Sequence, residues 1–355
     1  MTKTIRVIDT GLRSGRENIA HDQAMIDAHV DGVIGDSFKF IHFEPCALVG
    51  RHQDLSQELK LDECALRGVH TVRRITGGGA IYFDEGQLGW ALICNRRTVG
   101  GDLTQITEKI CTAAALGLST LRDLAGGGID ARFRPRNDIE VAGQKISGTG
   151  GFFDGNTLMF QGTVLIDLDP QAMAAVLNVP AHKLNKRELA NAGQRVTSLK
   201  TLLGRTPSKD EVMSALLIGF AEHLGFGFEF SRPDKSVEKM AQKLYDEEIG
   251  RDEFVGEINE PGRVRDVLSG TNSGGNLTAY VRLEGAKNDR IREVVFTGDV
   301  FITPPRALMD LEAHLRGKKL VDVASEVDEF FKQADIGMVS LQAPEFSDAI
   351  LGAVR

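Results

Sequence analysis

At 355 residues the chain is long enough for more than one ordinary domain, and its 42% hydrophobic and 26% charged residues are the balance of a soluble globular protein. A formal net charge of −8 argues against a nucleic-acid partner, whose phosphates demand a basic face to release counterions. No stretch approaches the roughly 20 consecutive apolar residues of a membrane span, and the start MTKTIRVIDTG has no apolar signal region, so a cytoplasmic address without a membrane partner is expected.

Residues 3–9, 38–44 and 47–50 are rich in Ile, Val and Phe and read as strands, whereas Ile19, Ile26 and Val30 fall on one helical face between the first two. Strands recur at 69–74, 80–84 and 87–95. Thr104 to Leu124 reads as a long helix that stops before Gly126-Gly127-Gly128. A strand over Asp138–Val141, a turn at Ala142-Gly143 and a strand over Lys145–Ser147 follow, then a strand over Leu158–Leu168 and helices at 170–177 and 208–225. Consecutive strands with few helices between them predict an α+β fold, a mixed and mainly antiparallel sheet with flanking helices, not a doubly wound one. The polar stretch Ser231-Arg232-Pro233-Asp234-Lys235-Ser236 suits a linker, so residues 1–234 are read as one unit and 235–355 as a smaller α+β unit. In the second unit helices are expected at 236–248, 305–316 and 320–332, with strands near 276–284 and 291–301.

The four cysteines form no CxxC pair and the eight histidines are scattered singly, so neither a zinc site nor a disulfide framework is expected. Basic clusters stand out at Arg73-Arg74, at Arg132, Arg134 and Arg136, and at Lys183, Lys186 and Arg187; the last reads as a solvated face. The first leads into Ile75-Thr76-Gly77-Gly78-Gly79-Ala80-Ile81-Tyr82-Phe83-Asp84. Three successive glycines leave backbone N–H groups uncovered, so a phosphate or carboxylate can approach the main chain, with arginine as countercharge. A tight hairpin that merely needs positive φ is the plainer alternative.

The second candidate is Arg136-Asn137-Asp138-Ile139-Glu140-Val141-Ala142-Gly143-Gln144-Lys145-Ile146-Ser147-Gly148. Lys145 there starts a strand between two glycines and can project an ammonium where backbone also comes close. Asn137 and Asp138 have the oxygens a Mg²⁺–phosphate group accepts, with Asp138 the candidate metal ligand; a solvated surface hairpin is the alternative. No Walker A loop occurs, and Gly148-Thr149-Gly150-Gly151 lacks the last glycine of a dinucleotide fingerprint, which excludes a P-loop ATPase and a Rossmann enzyme.

Together these segments resemble the lipoate–protein ligase A family, in which an RRxSGGGAVxxD loop is followed by N-D and then K-I-S-G. Here they read RRITGGGAIYFD at 73–84, RNDIEVAGQKISG at 136–148, GTVL at 162–165 and RVTSL at 195–199, and GDVFITPP at 298–305 looks like the family's C-terminal accessory domain. The resemblance implies the biotin/lipoate ligase catalytic fold and ATP-dependent ligation of lipoate, through lipoyl-adenylate, to a lysine of an apo carrier. The acceptor would be a lipoyl domain of a 2-oxoacid dehydrogenase, glycine-cleavage H protein or an H-like lipoate-binding protein, with ATP and Mg²⁺ as the substrate complex.

By the same resemblance, Arg74, Gly77, Gly78, Gly79, Ala80, Ile81 and Tyr82 surround the acyl-adenylate. Lys145 is the catalytic cation on its phosphate and carboxylate oxygens, and Asn137, Asp138, Ser147, Gly148, Gly162 and Thr163 line the same pocket. An apolar slot for the dithiolane would use Trp90, Leu92 and Ile81, for which core packing is the alternative. The chain departs from the family pattern at Phe83, Gln87, Phe160-Gln161 and Thr149-Gly150-Gly151, which bears on pocket detail and acceptor choice. Three competing functions are an octanoyl- or lipoyl-transferase of the same fold that uses a cysteine thioester without ATP, a biotin ligase, and a non-catalytic scaffold for lipoylated proteins.

Overall fold

Alternation along the strands sorts side chains onto two faces of one large sheet. Trp90 and Leu92 point into one core and Ala91 and Ile93 into another, as a period of two requires. The computed structural model describes residues 3–178, 196–333, 335–339 and 341–355. Lys183, Lys186, Arg187 and Arg195 lie outside the described residues.

The chain forms strand β1 (Lys3–Arg13), helix α1 (Gly15–Val30), β2 (Ser37–Phe43), β3 (Cys46–Val49), β4 (His70–Arg73), β5 (Ile81–Phe83), β6 (Gln87–Asn95) and α2 (Leu103–Leu118). Then come β7 (Ala131–Arg134), β8 (Asp138–Val141), β9 (Gln144–Asp154), β10 (Thr157–Leu165), α3 (Lys209–Leu224), β11 (Phe226–Ser231) and α4 (Lys235–Leu244). Eight strands make the main sheet in the order β11-β1-β2-β6-β10-β9-β8-β7. Within it β1 runs parallel to both its neighbours, β11 and β2, and the remaining pairs are antiparallel. β3, β4 and β5 form a separate three-stranded sheet. The expected α+β class, a mainly antiparallel sheet with flanking helices, is the one observed.

α2 and α3 cover one face around Phe38, Phe40, Trp90, Leu92 and Phe160. α1 and α4 cover the other around Ile41, Ala91, Ile93 and Met159. A third core lies between β12 (Leu268–Thr271), β13 (Leu277–Glu284), β14 (Arg290–Gly298) and the helices α5 (Ala307–Leu315), α6 (Val323–Gln333) and α7 (Ala343–Ala353). The short pair β15 (Ile302–Thr303) and β16 (Gly337–Met338) links this C-terminal unit to the main sheet, where the Thr303 hydroxyl accepts from Phe153 N at 2.8 Å and donates to Phe153 O at 2.7 Å.

Several expectations change. The helix expected to reach Leu124 ends at Ser119, whose hydroxyl turns back to Ala115 O at 2.9 Å; Leu124 is exposed and has no core to join. Val30 does not share the buried face of Ile19 and Ile26. The expected linker is pinned by Arg6, which reaches Asp234 at 2.7 Å and Ser231 Oγ at 3.1 Å, and α4 beyond it buries Val237 and Ala241 against α1's core. β7, β11 and α7 were not read from the sequence.

Candidate active site

Strand alternation sends the two adjacent arginines to different tasks. The Arg73 guanidinium is fully buried and donates to the carbonyls of Gly50, Arg51, Gln53, Val255 and Ile258, tying two loops together. Arg74 turns into the glycine loop, donating to Gly77 O at 2.9 Å and Gly79 O at 2.7 Å. Its Nη1 is buried and finds no hydrogen-bond partner among the described residues. Burial pushes the Arg74 guanidinium down to about 10, against the attraction of Asp299 and Glu58, so it is charged at neutral pH.

The glycines serve different neighbours. A Cβ on Gly77 would lie 1.8 Å from Val300 O, and one on Gly78 would lie 2.6 Å from the Phe301 ring. Both spaces are filled by the C-terminal unit. Only Gly79 is open, its Cβ position being 3.8 Å from the nearest atom, Asp299 Oδ2. The loop therefore meets protein on one side and presents backbone to the cavity at Gly79-Ala80.

Across the cavity, β7, β8 and β9 place Arg134 opposite Asp138 and Asp138 opposite Gly148. Lys145 folds back over Gly148, where a Cβ would meet its Nζ at 2.8 Å, and pairs with Asp138 Oδ1 at 2.7 Å. Arg134 bonds the other carboxylate oxygen, Oδ2, and lies 3.3 Å from Glu140. The turn before Asp138 holds Arg136 at φ 89, a region uncommon for a residue with a side chain. Asn137 Nδ2 donates to Thr149 O, and the Thr149 hydroxyl donates to Asn137 O at 2.8 Å.

These walls enclose a cavity of about 570 Å³. Of the residues singled out in the sequence, Arg74, Gly77, Gly79, Ala80, Ile81, Tyr82, Trp90, Asn137, Asp138, Lys145, Gly148, Gly162 and Thr163 line it. Gly78, Ser147 and Leu92 do not. Ser147 and Leu92 are fully buried, and Leu92 belongs to the core under α2. Gly162 is bare because a Cβ would strike the Trp90 ring at 2.4 Å. Ile19, Ile41, Phe43, Leu48 and Phe83, beneath α1, join Trp90 and Ile81 in the apolar part of the cavity wall.

Arg134, Gln161, Asp299 and Phe301 are among the cavity residues that the sequence does not single out as site residues. Arg134 was visible only as one of a basic cluster. Gln161, noted as a departure from a family pattern, donates to Thr76 Oγ1 at 2.6 Å and braces β10 against the glycine loop. Asp299 and Phe301 come from the C-terminal unit, and nothing local in GDVFITPP says which loop they meet. All four cysteines are buried and free, and none lines the cavity. Cys111 shares a 3.2 Å hydrogen bond with Thr149 Oγ1, and burial pushes its thiol up to about 12.

The profile of the lipoyl protein ligase A/B catalytic domain matches residues 14–221, more than half of the chain. Over 266 residues the chain is 27% identical to an octanoyltransferase LipM of Symbiobacterium thermophilum, covering 70% of this chain and 97% of that one. Over 251 residues it is 28% identical to lipoate-protein ligase A subunit 1 of Thermoplasma acidophilum, covering 67% of this chain and 91% of that one. Among solved structures, a bi-partite lipoate protein ligase from T. acidophilum has a TM-score of 0.63 at 24% identity, covering 73% of this chain and 99% of that one. P. falciparum LipL1 in complex with lipoate has a TM-score of 0.71 at 16% identity, covering 94% of this chain and 95% of that one. At these identities the structural likeness establishes the fold.

Proposed function

This chain belongs to the lipoyl protein ligase A/B catalytic-domain family, and from that premise we propose that it is an ATP-dependent ligase that converts lipoic acid to lipoyl-adenylate and passes the acyl group to a lysine of a carrier protein. One observation carries the choice of ATP over a thioester: the cavity walls hold Arg74, Arg134 and Lys145 and none of the four cysteines. A buried Cys111 thiol at about 12 is protonated at neutral pH and a poor nucleophile.

In the first half-reaction a lipoate carboxylate oxygen attacks the α-phosphorus of ATP. A new P–O bond forms, the bond to the β,γ-diphosphate breaks, and pyrophosphate leaves with the bonding electron pair. Two anions meet and charge builds up, so fixed cations and the bare backbone at Gly79 and Gly148 lower the barrier. In the second, the neutral amine of the acceptor lysine attacks the acyl carbonyl, AMP departs and the surplus proton passes to water. The slot between Ile19, Ile41, Phe43 and Leu48 suits the alkyl chain and dithiolane, and Tyr82, Leu168, Met173 and Leu177 make an apolar end for the base. Mg²⁺ enters with the triphosphate as part of the substrate. A lipoyl domain as acceptor is supported by the T. acidophilum ligase, which is described together with its E2 lipoyl domain as one lipoylation system. Residues 235–355 act in this reading as the accessory domain, contributing Asp299 and Phe301 to one wall.

The relatives named octanoyltransferase favour a second reading, acyl transfer without ATP. Lipoate-dependent exchange of pyrophosphate into ATP separates the two. It is expected in the wild type, to fall by about 10²-fold or more in Lys145→Ala, and to stay within a few-fold in Cys111→Ser. Lys145→Arg is also expected to be severely impaired, since a planar fork presents its charge differently, and Lys60→Ala, whose exposed ammonium donates to Ala174 O, is the control. Absent exchange in the folded wild type, with acyl transfer lost in Cys111→Ser, would establish the thioester reading instead.

A further inference from the structure

The acidic residue of the N-D pair has the chemistry of a magnesium ligand, and its surroundings test that role. A carboxylate that coordinates Mg²⁺ needs an oxygen directed at the ion. Both oxygens of Asp138 are already engaged, Oδ1 by Lys145 Nζ at 2.7 Å and Oδ2 by Arg134. No group of three or more His, Cys, Asp or Glu side chains able to hold a metal occurs among the described residues. The site does not fit a protein-held ion at Asp138.

The register explains what the carboxylate does instead. Arg134, Asp138 and Gly148 lie in one row across β7, β8 and β9. Lys145 reaches back along its own strand over Gly148, where a Cβ would come within 2.8 Å of Nζ and 3.0 Å of Cε. Without the carboxylate the ammonium and guanidinium would repel across this narrow row and drift into solvent. With it, each is fixed by a charge-assisted bond before any ligand arrives. Arg134 and Lys145 both line the cavity, and Glu140, 3.3 Å from Arg134, holds that guanidinium from its other side.

We propose that Asp138 is a positioning residue, not a metal ligand: together with the bare Cα of Gly148 it holds Lys145 and Arg134 side by side, and Arg134 is a second cation for the phosphates of the bound nucleotide. The identity of that anion rests on the adenylation reading; the positioning role does not.

The test uses the full-length chain and three readouts. Amine acetylation of Lys145, followed by peptide mass spectrometry, should quicken several-fold in Asp138→Asn and in Gly148→Ala, because either change frees the ammonium. Mn²⁺ binding to the nucleotide-free protein should be no stronger in the wild type than in Asp138→Asn. In pyrophosphate exchange, Asp138→Asn should lower kcat by about tenfold or more without raising the Mg²⁺ requirement, and Arg134→Ala should raise KM for ATP by about tenfold, the scale of one lost charge-assisted bond. Unchanged Lys145 labelling in both variants, or weakened Mn²⁺ binding in Asp138→Asn, would overturn the assignment. Absent exchange in the wild type would count against adenylation and Arg134's phosphate role, while the labelling contrast would still decide the positioning of Lys145.

Discussion

Gly77→Ala and Gly79→Ala are conservative on paper and should have opposite consequences. Neither glycine has a positive φ, so the backbone itself accepts alanine at both. At Gly77 the new Cβ would lie 1.8 Å from Val300 O and 2.9 Å from Val300 C. Ordinary contact needs about 3.4 Å or more, so Val300 must retreat by about 1.5 Å. It is poorly placed to do so: its side chain is fully buried, Gly298 N is tied to His52 O at 3.0 Å, and Thr303 holds both polar backbone atoms of Phe153. Overpacking of this kind costs about 1–3 kcal/mol. Gly77→Ala should therefore lower stability in urea by that amount and open the 298–303 segment to limited proteolysis. At Gly79 the nearest atom is 3.8 Å away, so alanine should leave stability within about 0.5 kcal/mol, yet it faces the cavity and should raise KM for ATP. Equal stability of Gly77→Ala and wild type, or equal damage from both substitutions, would refute the claim that Val300–Phe301 rests on the loop.

Two further predictions test the core. Lys39 and Asp22 form a buried pair at 2.7 Å, with burial pulling the Lys39 ammonium down and Asp22 raising it; Asp22→Asn should cost about 3–5 kcal/mol in urea denaturation, and a loss below about 1 kcal/mol would contradict the pairing. His52 is held down to about 3 by burial, with Arg51 and Arg73 adding to the effect. Its imidazole stays neutral in the folded chain while the unfolded one titrates near about 6.5, so its contribution is present above that pH and lost as pH falls toward 3. Between pH 7 and pH 5 the wild type should lose up to about 2 kcal/mol more than His52→Asn, and parallel pH profiles would remove the effect.

What the sequence disclosed was local. The apolar run in Gln87–Asn95 marks a strand whose bounds the structure reproduces, and Ala142-Gly143 turns at φ 50 and 81 between β8 and β9. Lys145 and the N-D pair fall together because one short hairpin joins them. β7 was hidden because Arg132 and Arg134 break its apolar pattern, although the ladder to β8 gives that edge its regular pairing. The three glycines were read for an anion. Their missing side chains are visible in the sequence, but the atoms that use the space at Gly77 and Gly78 belong to a segment far along the chain, which no local pattern reports. Likewise Arg73 and Arg74 are the same residue in the same tract, and only the strand's alternation separates a strut from a cavity wall.

In the adenylation reading the site joins two anions and has to keep cations close together before they arrive, and each cation here is anchored by a resident acceptor. Lys145 and Arg134 share Asp138, and Arg74 holds two carbonyls of the glycine loop. Binding then exchanges partners around fixed charges and avoids the cost of ordering long flexible side chains. Arg74 differs from the other two in one respect. Its Nη1 is buried without a hydrogen-bond partner among the described residues, and a charged donor left that way costs more than a neutral one. At about 10 its guanidinium does not shed that cost by losing its proton at neutral pH. An anionic oxygen within its reach would recover this penalty on binding, so in the adenylation reading Arg74 favours the liganded state through the strain of the free one, whereas Lys145 and Arg134 must give up part of an existing bond.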